Sequence, residues 1–268
     1  MPAASVQSVC ATLLAVAAFA APAVAMDTPV DLELVLAVDV SGSMDIEEQQ
    51  VQRAGYIEAI THPEVLSAIR TGPYGRIAIA FVEWGGSGYQ VTTIPWRTIE
   101  DDASAREFAA ALAEAPIARI RGTSISGALR YSSGLFDGNG YEGFRRVIDI
   151  SGDGPNNMGV PVVPVRDEVL QMGIVINGLP VMLRPSGGYL GINNLDVYYE
   201  DCVVGGPGSF VVSVNDPAQF PETIRRKLVL EIAGLPATVH KAQLAQRAPR
   251  IDCLIGEGLR QRWDLYER

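Results

Sequence analysis

Three small oxygen-bearing side chains follow the first strongly apolar run of the chain at spacings of two residues. Residues 30–40 are rich in apolar and β-branched types, which predicts a strand buried on both faces. Asp39, Ser41 and Ser43 lie at its carboxyl end, where an extended backbone places their oxygens on one side. Such donors favour a hard divalent cation, although the same pattern also occurs as a simple cap, here of a helix beginning at Asp45.

Two further polar loops stand at the ends of predicted elements. Gly122-Thr123 immediately precedes a helix predicted over residues 125–136, and Asp153-Gly154 follows a strand predicted over residues 144–150. In an open α/β sheet such loops meet at the carboxyl edge of the strands, where ligands bind. The predicted metal ligands are Asp39, Ser41, Ser43, Thr123 and Asp153. Asn156 and Asn157 could line the rim of this site, and turn chemistry explains them equally well.

The elements that must position these loops alternate between strands and helices. Strands are predicted over residues 30–40, 76–83, 89–94, 144–150, 173–179 and 210–214. Helices are predicted over residues 45–69 with a kink or break at Pro63, and over 101–115, 125–136, 163–172, 195–202 and 217–233. The second and third strands form a hairpin-like pair across a glycine-rich turn. This pattern predicts an α/β fold with a doubly wound, mainly parallel central sheet, helices on both faces and one antiparallel edge strand.

The order of these motifs resembles a von Willebrand factor type A (VWA) domain, whose metal-ion-dependent adhesion site has the motif D-x-S-x-S … T … D. The resemblance extends over about residues 30–234. More narrowly, the runs VIDISGDGPNN, GIVINGLP and RRKLVLEIAG resemble an exported bacterial VWA subfamily whose function is uncharacterised. The resemblance implies a Rossmann-like VWA fold. Gly152 is a departure, because other members carry Ser or Thr directly before the last Asp, and Asp149 is the alternative to Asp153 as that ligand.

Magnesium suits this set of donors, since it takes oxygen ligands and retains several waters. As direct ligands, the neutral hydroxyls of Ser41, Ser43 and Thr123 would leave the ion electron-poor. Asp39 and Asp153 can hold coordinated waters and supply the balancing charge. The remaining position then favours an anionic oxygen from a partner, which is the adhesion mechanism that the resemblance implies. The expected cofactor is Mg²⁺, with Mn²⁺ or Ca²⁺ as alternatives.

Composition limits the classes of partner. The chain has 268 residues, 48% of them hydrophobic and 19% charged, which is typical of a globular protein. A formal net charge of −10 argues against nucleic acid and against an anionic membrane surface, both of which favour basic proteins.

The first residues resemble a secretory signal. Residues 13–21, LLAVAAFAA, are an apolar core followed by small residues, which predicts a signal peptide over residues 1–25 cleaved after Ala25. No Lys or Arg precedes this core, and a buried N-terminal helix is the alternative interpretation. Export predicts a periplasmic or secreted protein with no membrane span after signal removal. The remaining chain divides into a VWA domain, residues 26–234, and a C-terminal extension, residues 235–268, which either docks on the domain or is partly disordered.

Two cysteines remain after the signal. In an oxidising compartment Cys202 and Cys253 suggest one disulfide, which closes a loop of roughly 50 residues and stabilises the fold by up to about 4 kcal/mol in the chain-entropy model. Two unpaired buried thiols are the alternative. His62 and His240 stand alone in the sequence, so zinc is not expected.

The predicted function is a non-enzymatic binding protein that recognises a protein or another acidic ligand through the metal. An enzyme is the second hypothesis, with Asp39 as the nucleophile of a metal-dependent phosphohydrolase. Against it, Ser41 occupies the position where such chemistry needs a second carboxylate, and no lysine lies near the three loops in sequence. The third hypothesis is a structural scaffold with a vestigial metal site.

Overall fold

Strands and helices alternate along the part of the chain that the computed structural model describes, residues 26–183, 191–234 and 250–266. The strands are β1 (Thr28–Val30), β2 (Glu33–Asp39), β3 (Ile77–Trp84), β4 (Gln90–Ile99), β5 (Tyr141–Gly143), β6 (Arg146–Gly152) and β7 (Val175–Pro180). The helices are α1 (Ile46–Ile60), α2 (Pro63–Arg70), α3 (Asp102–Glu114), α4 (Ile125–Gly134), α5 (Val162–Gln171), α6 (Leu195–Tyr198), α7 (Phe220–Ala233) and α8 (Ile255–Tyr266).

Five of the strands form the central sheet, in the order β4-β3-β2-β6-β7. β2 pairs in parallel with β3 and β6, and β6 pairs in parallel with β7. β4 is the antiparallel edge strand, paired with β3. The chain builds outward from β2 in one direction and then crosses to β6 on the other side. The strand order therefore reverses between β2 and β6, which is where ligands bind in open α/β sheets.

Helices cover both faces of this sheet, as predicted. On one face, Leu34 and Leu36 of β2 join a core formed with α1, α2, α3 and α7. On the other face, Val35 and Ala37 of the same strand join a core formed with α4, α5 and α6. Because alternate residues of a strand point to opposite faces, a run that is apolar at every position is buried on both sides. The doubly wound α/β prediction is confirmed.

The long helix predicted over residues 45–69 is two helices. α1 ends at Ile60, and α2 begins at Pro63 with His62 as its N-cap. The Nδ1 atom of His62 accepts a hydrogen bond from the Glu64 amide at 3.2 Å. Proline suits the first turn of a helix, where its missing N–H has no partner to lose.

The first and last predicted strands also differ from the structure. The run over residues 30–40 is interrupted at Asp31, and β1 instead pairs with β5 in a separate two-stranded parallel sheet. The carboxylate of Asp31 accepts hydrogen bonds from the backbone N–H groups of Tyr74 and Arg76, which turns the chain between β1 and β2. Residues 210–214 form only isolated bridges, at Val211 and Val214, rather than a strand.

The segment predicted as a helix over residues 195–202 is α6 followed by a π-helical turn, Tyr199–Val203. Cys202 lies in this turn and forms a disulfide with Cys253, with the two Cα atoms 5.6 Å apart. The predicted disulfide is therefore present, and it ties the segment that precedes α8 to the π-helical turn. Within the described ranges, no helix has the length and apolar character needed to span a bilayer. The predicted signal peptide lies outside those ranges.

Candidate metal centre

Three loops meet at the carboxyl edge of the central sheet. Asp39 is the last residue of β2, and Asp153 directly follows β6, the strand next to it. Ser41 forms a bridge with Ile120, which brings the segment before Thr123 alongside the first loop. A Cβ atom placed on Gly154 would lie 3.8 Å from the Thr123 hydroxyl oxygen, so the second and third loops also adjoin.

Hydrogen bonds connect the predicted ligands directly. The Oγ atoms of Ser41 and Ser43 are 2.8 Å apart, and the Ser43 hydroxyl donates to Oδ1 of Asp153 at 2.7 Å. The backbone N–H of Ser41 donates to Oδ1 of Asp39, also at 2.7 Å. The structure thus brings Asp39, Ser41, Ser43 and Asp153 together, with Thr123 on the adjoining loop.

The carboxylate of Asp39 is buried at the centre of this cluster with one oxygen unsatisfied. Asp39 is fully buried, and its Oδ2 atom has no hydrogen-bond partner. Burial raises the pKa of Asp39 well above its ordinary value, and the nearby charge of Asp153 raises it further. Two neighbouring carboxylates and an orphaned buried oxygen are an arrangement that a divalent cation would stabilise. The residues present therefore fit a cation.

Neutral oxygens distinguish this cluster from a carboxylate or thiolate site. No group of three or more His, Cys, Asp or Glu side chains suited to a metal occurs among the described residues. A cation here would depend on the hydroxyls of Ser41, Ser43 and Thr123 together with two carboxylates. That donor set consists only of oxygens, which suits a hard ion better than zinc.

The serines are not needed as helix caps. Asp45 is the N-cap of α1, and it forms a capping box with Glu48 in which each side chain accepts from the other's backbone N–H. Likewise Ser124, rather than Thr123, accepts the capping hydrogen bond from Gly127 of α4, at 3.2 Å. The interpretation of the D-x-S-x-S pattern as a helix cap is wrong.

Asn156 and Asn157 hold the second and third loops together. Oδ1 of Asn157 accepts from the Thr123 N–H at 3.0 Å, and the Asn157 N–H donates to the Thr123 carbonyl at 2.9 Å. Oδ1 of Asn156 accepts from the Ser126 N–H at 3.0 Å. Both asparagines are buried, so they fix the positions of the ligands instead of lining an exposed rim.

Comparison with known proteins places the chain in a family. A sequence model for the family described as "Protein of unknown function (DUF1194)" matches residues 29–236. The chain belongs to the DUF1194 family. A search of curated proteins found no match to the sequence.

Solved structures with VWA domains share the fold of this DUF1194 chain. The proximal thread matrix protein 1 of the mussel byssus, solved with a zinc-occupied MIDAS motif, matches with a TM-score of 0.58 and 14% identity, over 77% of this chain and 49% of that one. The pilus adhesin SpaC of Lactobacillus rhamnosus GG matches with a TM-score of 0.55 and 13% identity, over 78% and 31%. A von Willebrand factor type A protein of Catenulispora acidiphila matches with a TM-score of 0.51 and 16% identity, over 76% and 43%.

These likenesses establish the VWA fold. The DUF1194 chain spans about half the length of the byssus protein and less of the other two. Resemblance to a VWA domain, inferred from the motifs alone, is thereby confirmed.

Gly152 of the DUF1194 chain, where the resemblance led us to expect Ser or Thr, lies where a side chain would meet three buried groups. A Cβ atom on Gly152 would lie 2.8 Å from the Tyr199 hydroxyl, 3.0 Å from Oδ2 of Asp39 and 3.2 Å from the Trp84 ring. Tyr199 is fully buried, its hydroxyl has no hydrogen-bond partner, and burial together with the charge of Asp39 raises its pKa well above the ordinary value. Sequence reasoning missed Tyr199, whose only signal is the missing side chain at residue 152.

The alternative ligand Asp149 is engaged elsewhere. Its Oδ1 atom lies 2.6 Å from the ammonium of Lys227, and both side chains are buried. Lys227 also pairs with Glu231 one turn further along α7. Asp149 therefore belongs to a buried ion-pair cluster between β6 and α7, which leaves Asp153 as the carboxylate of the third loop. His62 caps α2, and His240 lies outside the described residues.

Proposed function

We propose that this chain is a binding protein that holds a divalent cation through Asp39, Ser41, Ser43, Thr123 and Asp153, and that recognises a carboxylate-bearing ligand through that ion. The observation that carries the proposal is the buried Oδ2 of Asp39, which has no partner and lies close to a second carboxylate. The cation is Mg²⁺, with Mn²⁺ and Ca²⁺ as alternatives that supply the same chemistry.

The five residues would have two different roles in holding the ion. The neutral hydroxyls of Ser41, Ser43 and Thr123 would contact the ion directly, and Asp39 and Asp153 would orient its waters and balance its charge. Bound in this way, the ion supplies an electron-poor position that attracts an anionic oxygen. A protein or another acidic ligand is the partner that suits it.

A binding role accounts for the surroundings of the site better than catalysis does. Ser41 stands where an aspartate-based phosphohydrolase would need its second carboxylate. Lys227, the one lysine among the described residues, has its ammonium engaged by Asp149 and Glu231. A scaffold with a vestigial site is less favoured, because a buried and unpaired carboxylate costs stability that a pure scaffold has no reason to retain.

Export and domain organisation are part of the same proposal. Residues 1–25 act as a cleaved signal, residues 26–234 form the VWA domain, and residues 235–268 form a C-terminal extension. A periplasmic or secreted location agrees with the Cys202–Cys253 disulfide, since disulfides persist in oxidising compartments.

Calorimetric titration of the purified chain with Mg²⁺ and Mn²⁺ tests the proposal. We expect wild type to bind and Asp39→Ala to lose binding, because the buried carboxylate no longer balances the ion. Asp137→Ala, which removes an exposed carboxylate from a distant turn, is the matched control and should bind like wild type.

Failure of wild type to bind either ion, even with a carboxylate such as acetate present, would overturn the metal-dependent binding function. Metal-dependent turnover of an aryl phosphate by wild type, lost in Asp39→Ala, would favour the phosphohydrolase instead. Affinity capture of partners with and without a chelator then identifies the ligand.

A further inference from the structure

The C-terminal helix α8 lies directly against the third loop of the metal centre. Gly256 is buried in this contact, and a Cβ atom on it would lie 2.1 Å from the Asn156 carbonyl oxygen and 3.1 Å from the Pro155 side chain. The next residue, Glu257, accepts a hydrogen bond from Nδ2 of Asn156 at 2.7 Å. The helix therefore touches both the backbone and the side chain of Asn156.

Asn156 is the residue through which that contact reaches the site. Its Oδ1 accepts from Ser126 at the start of α4, and its Nδ2 donates both to the Val160 carbonyl and to Glu257. Both the oxygen and the nitrogen of its side-chain amide are therefore hydrogen-bonded. Asn156 lies three residues after Asp153 in the sequence. A displacement of Asn156 would move the loop that carries Asp153.

A second connection runs through the disulfide. Cys253 precedes α8, and its partner Cys202 lies in the π-helical turn that begins at Tyr199. Directly before this turn, at the end of α6, the Tyr198 hydroxyl accepts from the Asn156 N–H at 3.2 Å. A Cβ atom on Gly152 would lie 2.8 Å from the Tyr199 hydroxyl and 3.0 Å from Oδ2 of Asp39, so these two groups adjoin the same position. The disulfide therefore joins α8 to the two tyrosines behind the site.

Arg250 adds a further tie between the extension and this segment. Its guanidinium donates to Asp201 at 2.8 Å and pairs with Glu200, both in the same π-helical turn. The extension is thus fixed to the domain by a covalent bond, a charged cluster and the packing of α8.

We propose that α8 positions the third loop of the metal centre, with Gly256 and Glu257 as the positioning residues and the Cys202–Cys253 disulfide holding the helix in place. This inference rests on the proposed function, which it deepens by assigning the extension a role in cation affinity. Groups that orient metal ligands from outside the coordination shell typically change metal affinity 10–100-fold when they are removed, roughly the range expected here.

The decisive variant is Gly256→Ala, because its methyl group would meet the Asn156 backbone and must push the helix away from the loop. Gly258→Ala adds the same methyl group to the same helix, where Nη1 of Arg262, at 4.0 Å, is the only atom of the described residues that it would approach. The two variants share the gain in helix propensity, so a difference between them reports the contact with the loop.

Two measurements on the full chain separate this inference from the proposed function. Amide hydrogen exchange of a peptide covering residues 153–160, without metal, reports the order of the loop itself. Calorimetry with Mn²⁺ reports cation affinity. We expect faster exchange and about tenfold weaker Mn²⁺ binding in Gly256→Ala, with Gly258→Ala like wild type in both measurements.

Glu257→Ala and the pair Cys202→Ala with Cys253→Ala extend the test if Gly256→Ala does not fold. Each should speed exchange of the same peptide and weaken Mn²⁺ binding. Unchanged exchange in all the variants that fold, or unchanged Mn²⁺ affinity where wild type binds, overturns the positioning role. If wild type binds no cation while exchange responds as expected, the proposed function fails and the positioning of the loop by α8 stands.

Discussion

At the scale of single residues, the site contains buried polar groups that lack hydrogen-bond partners. Asp39 is a fully buried carboxylate with one oxygen unpaired and Asp153 nearby, and the Tyr199 hydroxyl is buried without a partner beside it. Buried polar groups without partners cost free energy of folding, and natural proteins retain them mainly where they serve a function. At this candidate metal centre, the stability of the metal-free fold and the proposed cation binding should therefore oppose each other.

Replacing Asp39 with Asn tests that opposition. Asn keeps the oxygen that accepts from the Ser41 N–H but removes the buried charge that faces Asp153. Without metal, we expect the Asp39→Asn protein to be more stable than wild type by about 1–3 kcal/mol in urea unfolding. Addition of Mn²⁺ should raise the melting temperature of wild type only. An apo variant that is less stable than wild type would contradict this account.

The close contact at Gly152 gives a second residue-scale prediction. Gly152→Ala would place a methyl group 2.8 Å from the Tyr199 hydroxyl and 3.0 Å from Oδ2 of Asp39, so it should destabilise the fold by about 1–3 kcal/mol. Tyr199→Phe removes the nearer of these atoms. The double variant should therefore be less destabilised than the sum of the single ones, by about 1 kcal/mol in urea unfolding. Additive effects would show that Tyr199 does not limit the residue at position 152.

At the scale of elements, a buried ion cluster joins α7 to the central sheet. Lys227 and Glu231 of α7 meet Asp149 of β6, and Nδ2 of Asn177 on β7 donates to Glu231 at 3.2 Å. Burial raises the pKa of Glu231 to about 7, and the charge of Asp149 contributes in the same direction while Lys227 opposes it. The helix is thus fixed to the sheet by a group that titrates near neutral pH.

That raised pKa predicts how stability changes with pH. The folded state binds a proton on Glu231 more tightly than the unfolded state does, so this stabilisation is complete below the unfolded pKa of 4.5 and is lost as the pH rises through about 7. Asp149, whose pKa is also raised, acts in the same direction. We expect wild type to lose about 2 kcal/mol more than Glu231→Gln between pH 5 and 8, because Gln does not titrate.

Urea unfolding at both pH values measures this difference. Glu222→Gln removes an exposed carboxylate from the same helix and should follow wild type at both pH values. If wild type and Glu231→Gln lose stability in parallel, the cluster does not titrate in this range. Ionisable groups outside the cluster of Asp149, Lys227 and Glu231 are the same in both proteins, so their titration cancels in this comparison.

At the scale of the whole molecule, the order of strands and helices could be predicted because it depends on short runs of apolar and polar residues. The apolar run before Asp39 and the polar residues after each strand were enough to predict the doubly wound sheet and the loops that meet at its edge. Residues 210–214 were predicted as a strand but form only isolated bridges at Val211 and Val214. Apolar residues packed beside a sheet have the sequence pattern of a strand whether or not a full ladder of hydrogen bonds forms. Element ends are likewise set by caps such as His62, which no periodicity reveals.

The features that could not be predicted from the sequence are contacts between segments that lie far apart in the chain. Nothing near Gly256 in sequence indicates that it lies against Asn156, and nothing near Tyr199 indicates that it lies beside Asp39. Such contacts depend on how distant segments pack, and of these only the packing of the segment around Cys253 was suggested in advance, by the two cysteines. The five residues predicted as ligands could be proposed from sequence because their spacing matches a motif, whereas the groups that surround them have no motif.

The small sheet of β1 and β5 fixes where the described chain enters the domain. β1 ends three residues before β2 begins, and β5 ends three residues before β6 begins, so both lie at the amino ends of the two strands that carry Asp39 and lead to Asp153. The seven residues of β2 separate that end from the metal centre by about 20 Å. A tether attached ahead of Thr28 would therefore hold the domain with the candidate metal centre turned outward, away from the supporting surface.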